Sequence, residues 1–232
     1  MSSKLGAVGG LVGLTLLLAG PVTAAPPDDS LLPPAMHKTE KGRRLATKHA
    51  AALRDLNAEI YHCMPWVEIA KNSIGFFRPK NAPQDDRYLS IRIFIEQEPS
   101  VEFARLGIQD QASAMFSRYA GPILRRMTRH ASVLNDDGID GFTVILEWVR
   151  QGARAAGGRP IHETVAVFVP KVDADEYLDG RSTVRELATR ARVLGWDGET
   201  PLGPLKVSAW EDNFVASFQV KDYQPEPGVR CP

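Results

Sequence analysis

The sequence predicts an α+β fold: a mostly antiparallel sheet of about six strands, arranged as three hairpins, packed by three main helices in a single domain. Two observations predict it. Segments with apolar residues at steps of three and four alternate along the chain with paired segments of strand character. Each strand pair is joined by a short polar or glycine-rich linker, which favours a hairpin and therefore antiparallel pairing. Helices gathered on one face of such a sheet give an α+β architecture.

The N-terminus has the pattern of a secretory signal peptide. Lys4 supplies a positive charge, residues 6–20 are apolar and uncharged, and small residues up to Ala24 form a cleavage site. The apolar run is shorter than the roughly 20 residues that span a bilayer. We therefore expect cleavage near Ala24, removal of residues 1–24 and a mature chain without a transmembrane segment. An uncleaved N-terminal anchor is the alternative, and either form lies outside the cytosol.

Composition favours a bacterial periplasmic or secreted protein. The chain is rich in alanine and prefers arginine to lysine, which is typical of a GC-rich bacterial genome. It carries 28 basic residues, lysine and arginine, against 28 acidic residues. A balanced charge gives no argument for nucleic acid, and export argues against it further. The expected partner is a protein or a small-molecule ligand outside the cytosol, and no nucleic acid is expected.

The exported part divides into a leader and one domain. Residues 25–35, APPDDSLLPPA, are rich in proline and are expected to be extended. Residues 36–232 have an ordinary length for a single domain.

One long helix and two strands are predicted for the first part of the domain. Apolar residues at steps of three and four predict an amphipathic helix over residues 38–63, which Pro65 ends. His49 lies on its apolar stripe, where we expect a hydrogen-bonded boundary residue. Strands over residues 67–77 and 89–97 follow, joined by the polar linker RPKNAPQDDR. The second strand alternates isoleucine with polar or aromatic residues, the period of a sheet with one buried face.

Helical and strand patterns alternate again in the middle of the chain. Residues 100–130 are predicted to be helical, with Ser100 as N-cap and Pro122 as a break or kink. Residues 142–149 and 161–169 are predicted to be a strand pair, joined by the linker RQGARAAGGRP.

The last part of the domain is predicted to be a helix and a hairpin. Thr183 and Glu186 offer a capping box for a helix that continues through Leu194. Gly195 is expected to close this helix. A final hairpin is predicted from residues 205–210 and 214–220 over the sequence EDN.

Two cysteines are present, Cys63 in the stretch EIYHCMPW and Cys231 next to the last residue. In an oxidising compartment a pair is more often bonded than free, so we predict a disulfide that fastens the C-terminal tail to the first helix. Catalysis by Cys63 with His62 is disfavoured because adjacent helical side chains point about 100° apart. Zinc is disfavoured because isolated cysteines lack the paired spacing of a structural site. No metal and no cofactor are expected.

The stretch NDDGIDGFTVILE resembles a calcium-binding loop in part. Asp136, Asp140, Gly141 and Glu147 fall at positions one, five, six and twelve of the loop template. Position three is Gly138, however, and the following residues have strand character where a helix is expected. Because aspartate and glycine also make turns before strands, we favour a turn.

Candidates for a catalytic carboxylate and histidine group are His162, Asp136 and Asp140. The segment IHETVAVFV lacks the second histidine of the zinc-protease motif, and in a strand His162 and Glu163 point to opposite faces. Glu163 shares a face with Val165, so we expect it near a strand end where its carboxylate reaches water. A hydrolase would require the three candidates to converge in one pocket.

A second candidate site is a basic cluster on the middle helical region. Its members are Arg118, Arg125, Arg126 and Arg129, followed by His130. Such a cluster could hold an anionic lipid headgroup, a phosphate or an acidic partner. A solvated helix face is the interpretation we favour.

These patterns favour a non-catalytic binding or envelope-associated accessory domain. No glycine-rich phosphate loop, nucleophile elbow or paired-cysteine metal motif is present in the sequence. The alternative is an extracytoplasmic hydrolase that uses the carboxylate and histidine candidates. The four tryptophans, Trp66, Trp148, Trp196 and Trp210, are spread along the chain and indicate core or rim packing.

Overall fold

The computed structural model describes residues 25–79, 82, 84–95, 100–151, 157–158, 160–210 and 230–231. The predicted signal peptide lies outside these residues. No helix in this part of the chain has both the length and the apolar character needed to cross a membrane.

The leader is not a free extension. Short 3-10 turns form at Asp28–Ser30 and Pro34–Met36, and Leu32 N–H donates to the carbonyl of Ile74 at 2.9 Å. Ser30 is buried, and its hydroxyl donates to Asn57 Oδ1 at 2.8 Å. The part of the leader from Asp28 onward therefore packs on the domain.

Two helices, α1 (Glu40–Lys48) and α2 (Ala50–Cys63), lie where the sequence predicts one. The break is at His49, whose backbone leaves the helical region with φ −102° and ψ 15°. The His49 side chain is buried at 1% exposure, and its Nε2 lies 2.7 Å from Asp136 Oδ2. His49 is thus a hydrogen-bonded residue, as predicted, but it also separates the two helices.

The sheet contains seven strands in the part of the chain that the structure describes. They are β1 (Val67–Ile69), β2 (Gly75–Phe77), β3 (Tyr88–Ile95), β4 (Gly141–Gln151), β5 (Ile161–Pro170), β6 (Arg192–Asp197) and β7 (Thr200–Leu205). Their order is β1-β3-β4-β5-β6-β7, and β2 also pairs with β3. The predicted α+β class with a mostly antiparallel sheet is confirmed, with one more strand than expected.

One strand pair differs from the predicted hairpins: β3 and β4 are parallel. A parallel pair needs a long crossover, and the helical region between these strands provides it. The crossover comprises α3 (Val101–Arg105), α4 (Ile108–Met115), a π-helical turn (Phe116–Ala120), α5 (Gly121–Met127) and α6 (Ala131–Leu134).

The crossover is divided into short helices, and the divisions lie at or next to residues that typically begin or interrupt helices. Ser100 caps α3 by accepting the Phe103 N–H at 3.1 Å, as predicted. Gly107 separates α3 from α4. The π-helical turn ends just before Pro122, the second residue of α5. A proline lacks an N–H and crowds the carbonyl four residues earlier, so a widened turn at this point accommodates it.

The predicted last helix is shorter than expected, and the last hairpin lies earlier in the chain. After α7 (Lys171–Leu178), Thr183 and Glu186 form the predicted capping box of α8 (Val184–Arg190). Residues 192–197, which we expected to continue that helix, form β6 and pair with β5. The hairpin connects β6 to β7, residues 206–210 are not a strand, and residues 214–220 lie outside the described residues.

One face of the sheet forms the hydrophobic core with the helices. Its side chains are almost fully buried, and in the central strands they are Leu89, Ile91, Ile93, Ile95, Phe142, Val144, Leu146, Trp148, Val165, Val167 and Val169. The alternation of isoleucines in β3 predicted this face correctly. The other face of the same strands carries the candidate site described below.

Candidate functional site

Cys63 and Cys231 lie at disulfide distance, as predicted. Their Sγ atoms are 2.11 Å apart and their Cα atoms 5.4 Å apart. The bond joins the last residue of α2 to a residue 168 positions later. It therefore holds the C-terminal end of the chain on the helical side of the fold.

Asp136 is an anchor for the helices and not an open ligand. Its Oδ2 lies 2.7 Å from His49 Nε2 and 2.8 Å from Lys48 Nζ, and its Oδ1 accepts the Gly138 N–H at 2.8 Å. Burial alone raises the pKa of Asp136, but the hydrogen bonds from Lys48, His49 and Gly138 outweigh it and hold the pKa well below its usual range.

Asp140 has a similar role at the start of β4. Its Oδ2 accepts the Arg87 N–H at 2.6 Å and lies 2.8 Å from Lys41 Nζ. Glu147, the last member of the calcium template, lies about 20 Å further along the strand, at roughly 3.3 Å per residue. The carboxylates of the template therefore do not surround one point. In the described part of the chain, no group of three or more histidine, cysteine, aspartate or glutamate residues could hold a metal ion.

His162 lies far from both aspartates. It is opposite Val149 at one end of the β4–β5 pair, whereas Asp140 precedes Gly141 at the other end. Pro170 is the partner of Gly141 and lies eight positions after His162 in β5. This separation corresponds to about 26 Å of strand. The three candidates His162, Asp136 and Asp140 therefore do not converge in one pocket.

Glu163 is more deeply buried than expected. It is 1% exposed, and its Oε1 accepts a hydrogen bond from Arg150 Nη1 at 3.2 Å. Arg150 also reaches Asp197 at 3.2 Å from a bulge in β4. The pKa of Glu163 is raised to about 7, mainly by burial; Arg150 opposes the rise and the Asp197 carboxylate adds to it. The Glu163 carboxylate therefore contacts Arg150, whereas we expected it to contact water.

The basic cluster is partly neutralised by α2. Arg126 Nε and Arg129 Nη1 lie 3.1 and 2.8 Å from the two carboxylate oxygens of Glu59. Burial raises the pKa of Glu59, although both arginines oppose the rise. The Arg125 guanidinium stacks over the ring of Tyr177, 4.7 Å from its centroid.

The remaining members of the cluster do not complete a separate anion site. His130 Nε2 lies 3.0 Å from Asp55 Oδ2. Arg118 is half-buried in the π-helical turn and does not line the cavity of about 350 Å³ that Arg126, Arg129 and His130 share with Asp55 and Glu59. The cluster is therefore a set of ion pairs between helices more than a free cationic surface.

A cavity of about 580 Å³ lies between the leader, α2 and β1. Its charged members include Asp29 and Lys71, which pair at 2.9 Å, and its polar members include Ser30 and Asn57, which bond to each other. Both pairs therefore hold the leader on the domain at the wall of this cavity.

The strongest candidate site is the open face of the sheet, on the side opposite the core. The register of β3 to β6 places its side chains on a common face. They are Ser90, Arg92, Phe94, Thr143, Ile145, Glu147, His162, Thr164, Ala166, Phe168, Arg192, Leu194 and Trp196. The larger members are half-buried or exposed, whereas the small members Ser90, Thr143 and Ala166 are buried among them. None of these open-face residues belongs to the hydrophobic core.

A polar chain crosses the centre of the open face. Arg92 Nε donates to Glu147 Oε2 at 3.0 Å, and Glu147 Oε1 lies 3.2 Å from His162 Nδ1. The His162 ring stacks on Phe94. On the far strand, the Arg192 guanidinium lies 5.9 Å from the ring centroid of Phe168. Cationic and aromatic groups are thus interleaved across four strands.

Two depressions lie side by side on this face. The first, of about 390 Å³, is lined by Ala70, Lys71, Asn72, Ser73, Phe77, Arg78, Pro79, Ser90, Arg92, Thr143, Ile145 and Phe168. The second, of about 310 Å³, is lined by Arg92, Ile145, Thr164, Ala166, Trp196 and Gly198. Arg92 and Ile145 belong to both, so the two depressions adjoin at these residues.

The sequence contains a signal for this face in the residues that alternate with the core side chains. The residues that alternate with the core side chains of a one-sided sheet are ordinarily polar. Here Phe94, Ile145, Phe168 and Trp196 occupy such positions. The sequence does not show, however, which strands are neighbours, and therefore not which of these residues meet.

The chain was compared with protein-family models, with curated proteins and with solved structures, and no match was found.

Proposed function

We propose that this chain is an exported, non-catalytic binding protein, periplasmic or secreted, which binds its ligand on the open face of the sheet. The observation that carries the proposal is the composition of that face. Aromatic and aliphatic side chains lie there beside exposed guanidinium groups, outside the hydrophobic core. Apolar surface rimmed by polar groups is typical of binding sites.

The open face carries more aromatic side chains than a surface that only contacts water ordinarily does. Phe77 is 37% exposed at the edge of the face, and the aromatic rings of Phe94, Phe168 and Trp196 are only partly buried. Leaving such rings in water sacrifices stabilisation that their burial would supply. A ligand that covers these rings restores the stabilisation, and this supports ligand binding as the role of the surface.

Export is supported by the N-terminal pattern and by the cysteine pair. The charged, apolar and small-residue segments occur in the order of a signal peptide. Disulfides persist in oxidising compartments, and Cys63 and Cys231 lie at bonding distance. The hydrolase alternative has lost its support, because its candidate residues lie at opposite ends of the sheet.

The proposal is tested by mapping ligands on the chain purified after export. Amide chemical shifts would be recorded with a defined panel of small acids, bases, sugars and neutral aromatic compounds. We expect the compounds that bind to shift residues of β3 to β6, and we expect Ile145→Arg, which fills both depressions, to abolish those shifts. The matched control is Val172→Arg, because Val172 is 64% exposed on a helix away from the sheet face.

Two results would overturn the proposal. One is that panel compounds bind only to the helical side, with shifts that Ile145→Arg leaves unchanged. The other is that the purified chain hydrolyses ester, peptide, glycoside or phosphate substrates and loses that activity on mutation of a residue cluster.

A further inference from the structure

The first depression has the charge of an anion site. Its lining contains three basic side chains, Lys71, Arg78 and Arg92, and no carboxylate. The hydroxyls of Ser73, Ser90 and Thr143 belong to the same lining. Lys71 is paired with Asp29 at 2.9 Å, but its side chain is 77% exposed, so this pair is weakened by solvent.

Arg92 retains donors for a ligand. Its contact with Glu147 uses Nε and Nη2 on one edge of the guanidinium. A guanidinium has five N–H donors in a planar fork, so the other edge can bind an oxyanion. The Arg92 side chain is 46% exposed, which leaves that edge accessible.

The second depression has a different character. Apart from Arg92, its lining residues are uncharged, and Ile145, Ala166 and Trp196 supply an apolar floor and wall. Because Arg92 and Ile145 are common to both depressions, one molecule can occupy both. The combined site has a cationic end near β2 and an aromatic end near β6.

We infer that the open face binds a small organic anion, whose charged group lies among Lys71, Arg78 and Arg92 and whose apolar body lies across Ile145 towards Trp196. This inference rests on the proposed function and names its ligand class. A carboxylate, sulfonate or phosphate ester with a ring or chain of moderate size has the required chemistry. Glu68 and Glu147 also lie on this face, but neither lines the first depression.

A matched pair of fluorescent probes tests the charge requirement. The probes are 1-anilinonaphthalene-8-sulfonate and N-phenyl-1-naphthylamine, which share a ring system and differ by the sulfonate. Binding would be followed by probe fluorescence and by energy transfer from tryptophan. We expect the sulfonate probe to bind about tenfold more tightly, since a charge-assisted contact in a partly open site has this order of effect. We also expect its affinity to fall with added salt.

Variants assign the two ends of the site. Arg78→Gln combined with Arg92→Gln should weaken the sulfonate probe about tenfold and weaken the uncharged probe by much less. Trp196→Phe should reduce energy transfer from the protein to either probe. The matched control is Arg181→Gln, because Arg181 is an exposed arginine paired with Asp179 on another part of the chain. Circular dichroism and thermal unfolding would verify that every variant is folded.

The outcomes separate this inference from the proposed function. Equal affinity for both probes, or a double variant that binds the sulfonate probe as well as the wild type, overturns the anion inference. If Ile145→Arg still abolishes binding of both probes in that case, the open face remains a binding surface. If the sulfonate probe does not bind at all, the anion inference is wrong, and the ligand panel described above decides the proposed function separately.

Discussion

The imidazole of His162 stacks on the ring of Phe94, with centroids 5.2 Å apart and an interplanar angle of 10°. This contact joins β5 to β3 across Glu147 of β4, which also binds the imidazole at 3.2 Å. His162 is the histidine that the sequence suggested for catalysis. Its neighbours are an aromatic ring and a carboxylate held by Arg92, and neither Asp136 nor Asp140 is among them.

Loss of the disulfide should destabilise the chain. Replacing both Cys63 and Cys231 with serine removes the crosslink and opens a covalent loop with a sequence separation of 168. We expect the free energy of unfolding to fall by about 2–5 kcal/mol, since a crosslink restricts the unfolded chain most when the loop is long. Urea unfolding of the oxidised, reduced and serine forms measures this. Equal midpoints for all three forms would contradict the prediction.

Export should be measurable with the N-terminal segment alone. Residues 1–24 fused to a reporter enzyme that is active only outside the cytosol should give reporter activity, and the mature chain should begin near Ala25. Thiol titration of the exported protein should find no free cysteine. The control replaces the charged and apolar segments with a polar sequence of equal length. A fusion without reporter activity would contradict the predicted export, and two free thiols in the exported protein would contradict the predicted disulfide.

Asp136→Asn should destabilise the junction between α1 and α2. The substitution removes the negative charge that Lys48 and His49 contact at 2.8 and 2.7 Å. We expect a loss of about 1–3 kcal/mol at pH 7, because the buried His49 imidazole is left without an ionised acceptor. Asp137→Asn is the matched control, since Asp137 is exposed. It should change stability by less than about 0.5 kcal/mol.

The stability that Asp136 contributes should also depend on pH. Its pKa is lower in the folded than in the unfolded chain, so the contribution is present above the unfolded pKa and is lost as the pH falls towards the folded value. The difference in unfolding free energy between wild type and Asp136→Asn should therefore shrink below about pH 4, near the ordinary aspartate pKa. A difference that is constant from pH 7 to pH 2 would be evidence against this role.

Glu163 should produce the opposite pH dependence. Burial raises its pKa to about 7, so the folded chain holds the proton more tightly than the unfolded chain, and stability falls as the pH rises from about 5 to about 7. Glu163→Gln mimics the protonated form and should flatten this slope. At pH 8 the variant should be more stable than the wild type by on the order of 1 kcal/mol.

Comparing how the stability of the wild type and of Glu163→Gln depends on pH isolates the contribution of Glu163 from that of other groups. Glu59, whose pKa is also raised, is present in both proteins and cancels in the difference. Arg150 and Asp197 remain paired in the variant, at 3.2 Å. Parallel pH profiles for wild type and Glu163→Gln would show that the buried carboxylate is ionised in the folded chain across this range.

Much of the local structure could be predicted because short-range chemistry decides it. Thr183 and Glu186 satisfy the first N–H groups of α8 from within the same turn, and Ser100 does so for α3. Ile91, Ile93 and Ile95 identify the buried face of β3 by their period alone. The cysteine pair could be predicted from the expected oxidising compartment and the even number of cysteines. Each of these features involves residues close in sequence, or only two candidates.

Residues 192–197 show where local chemistry is insufficient. Their apolar positions continue the helical period of α8, yet the segment forms β6. Val193 and Gly195 face Val167 and Val165 across the β5–β6 pair. Pairing with β5 supplies backbone hydrogen bonds and burial that an isolated helix turn does not, and tertiary context of this kind overrides local propensity.

The α+β class, the buried face of β3, the helix caps and the cysteine pair can be predicted from the order of residues along the chain. The parallel pairing of β3 and β4, which brings Arg92, Ile145 and Trp196 together on one open face, cannot be predicted in this way. Strand neighbours are chosen by contacts between distant segments, and the free energy of those contacts depends on the packing of the whole sheet, so no single window of the chain encodes it.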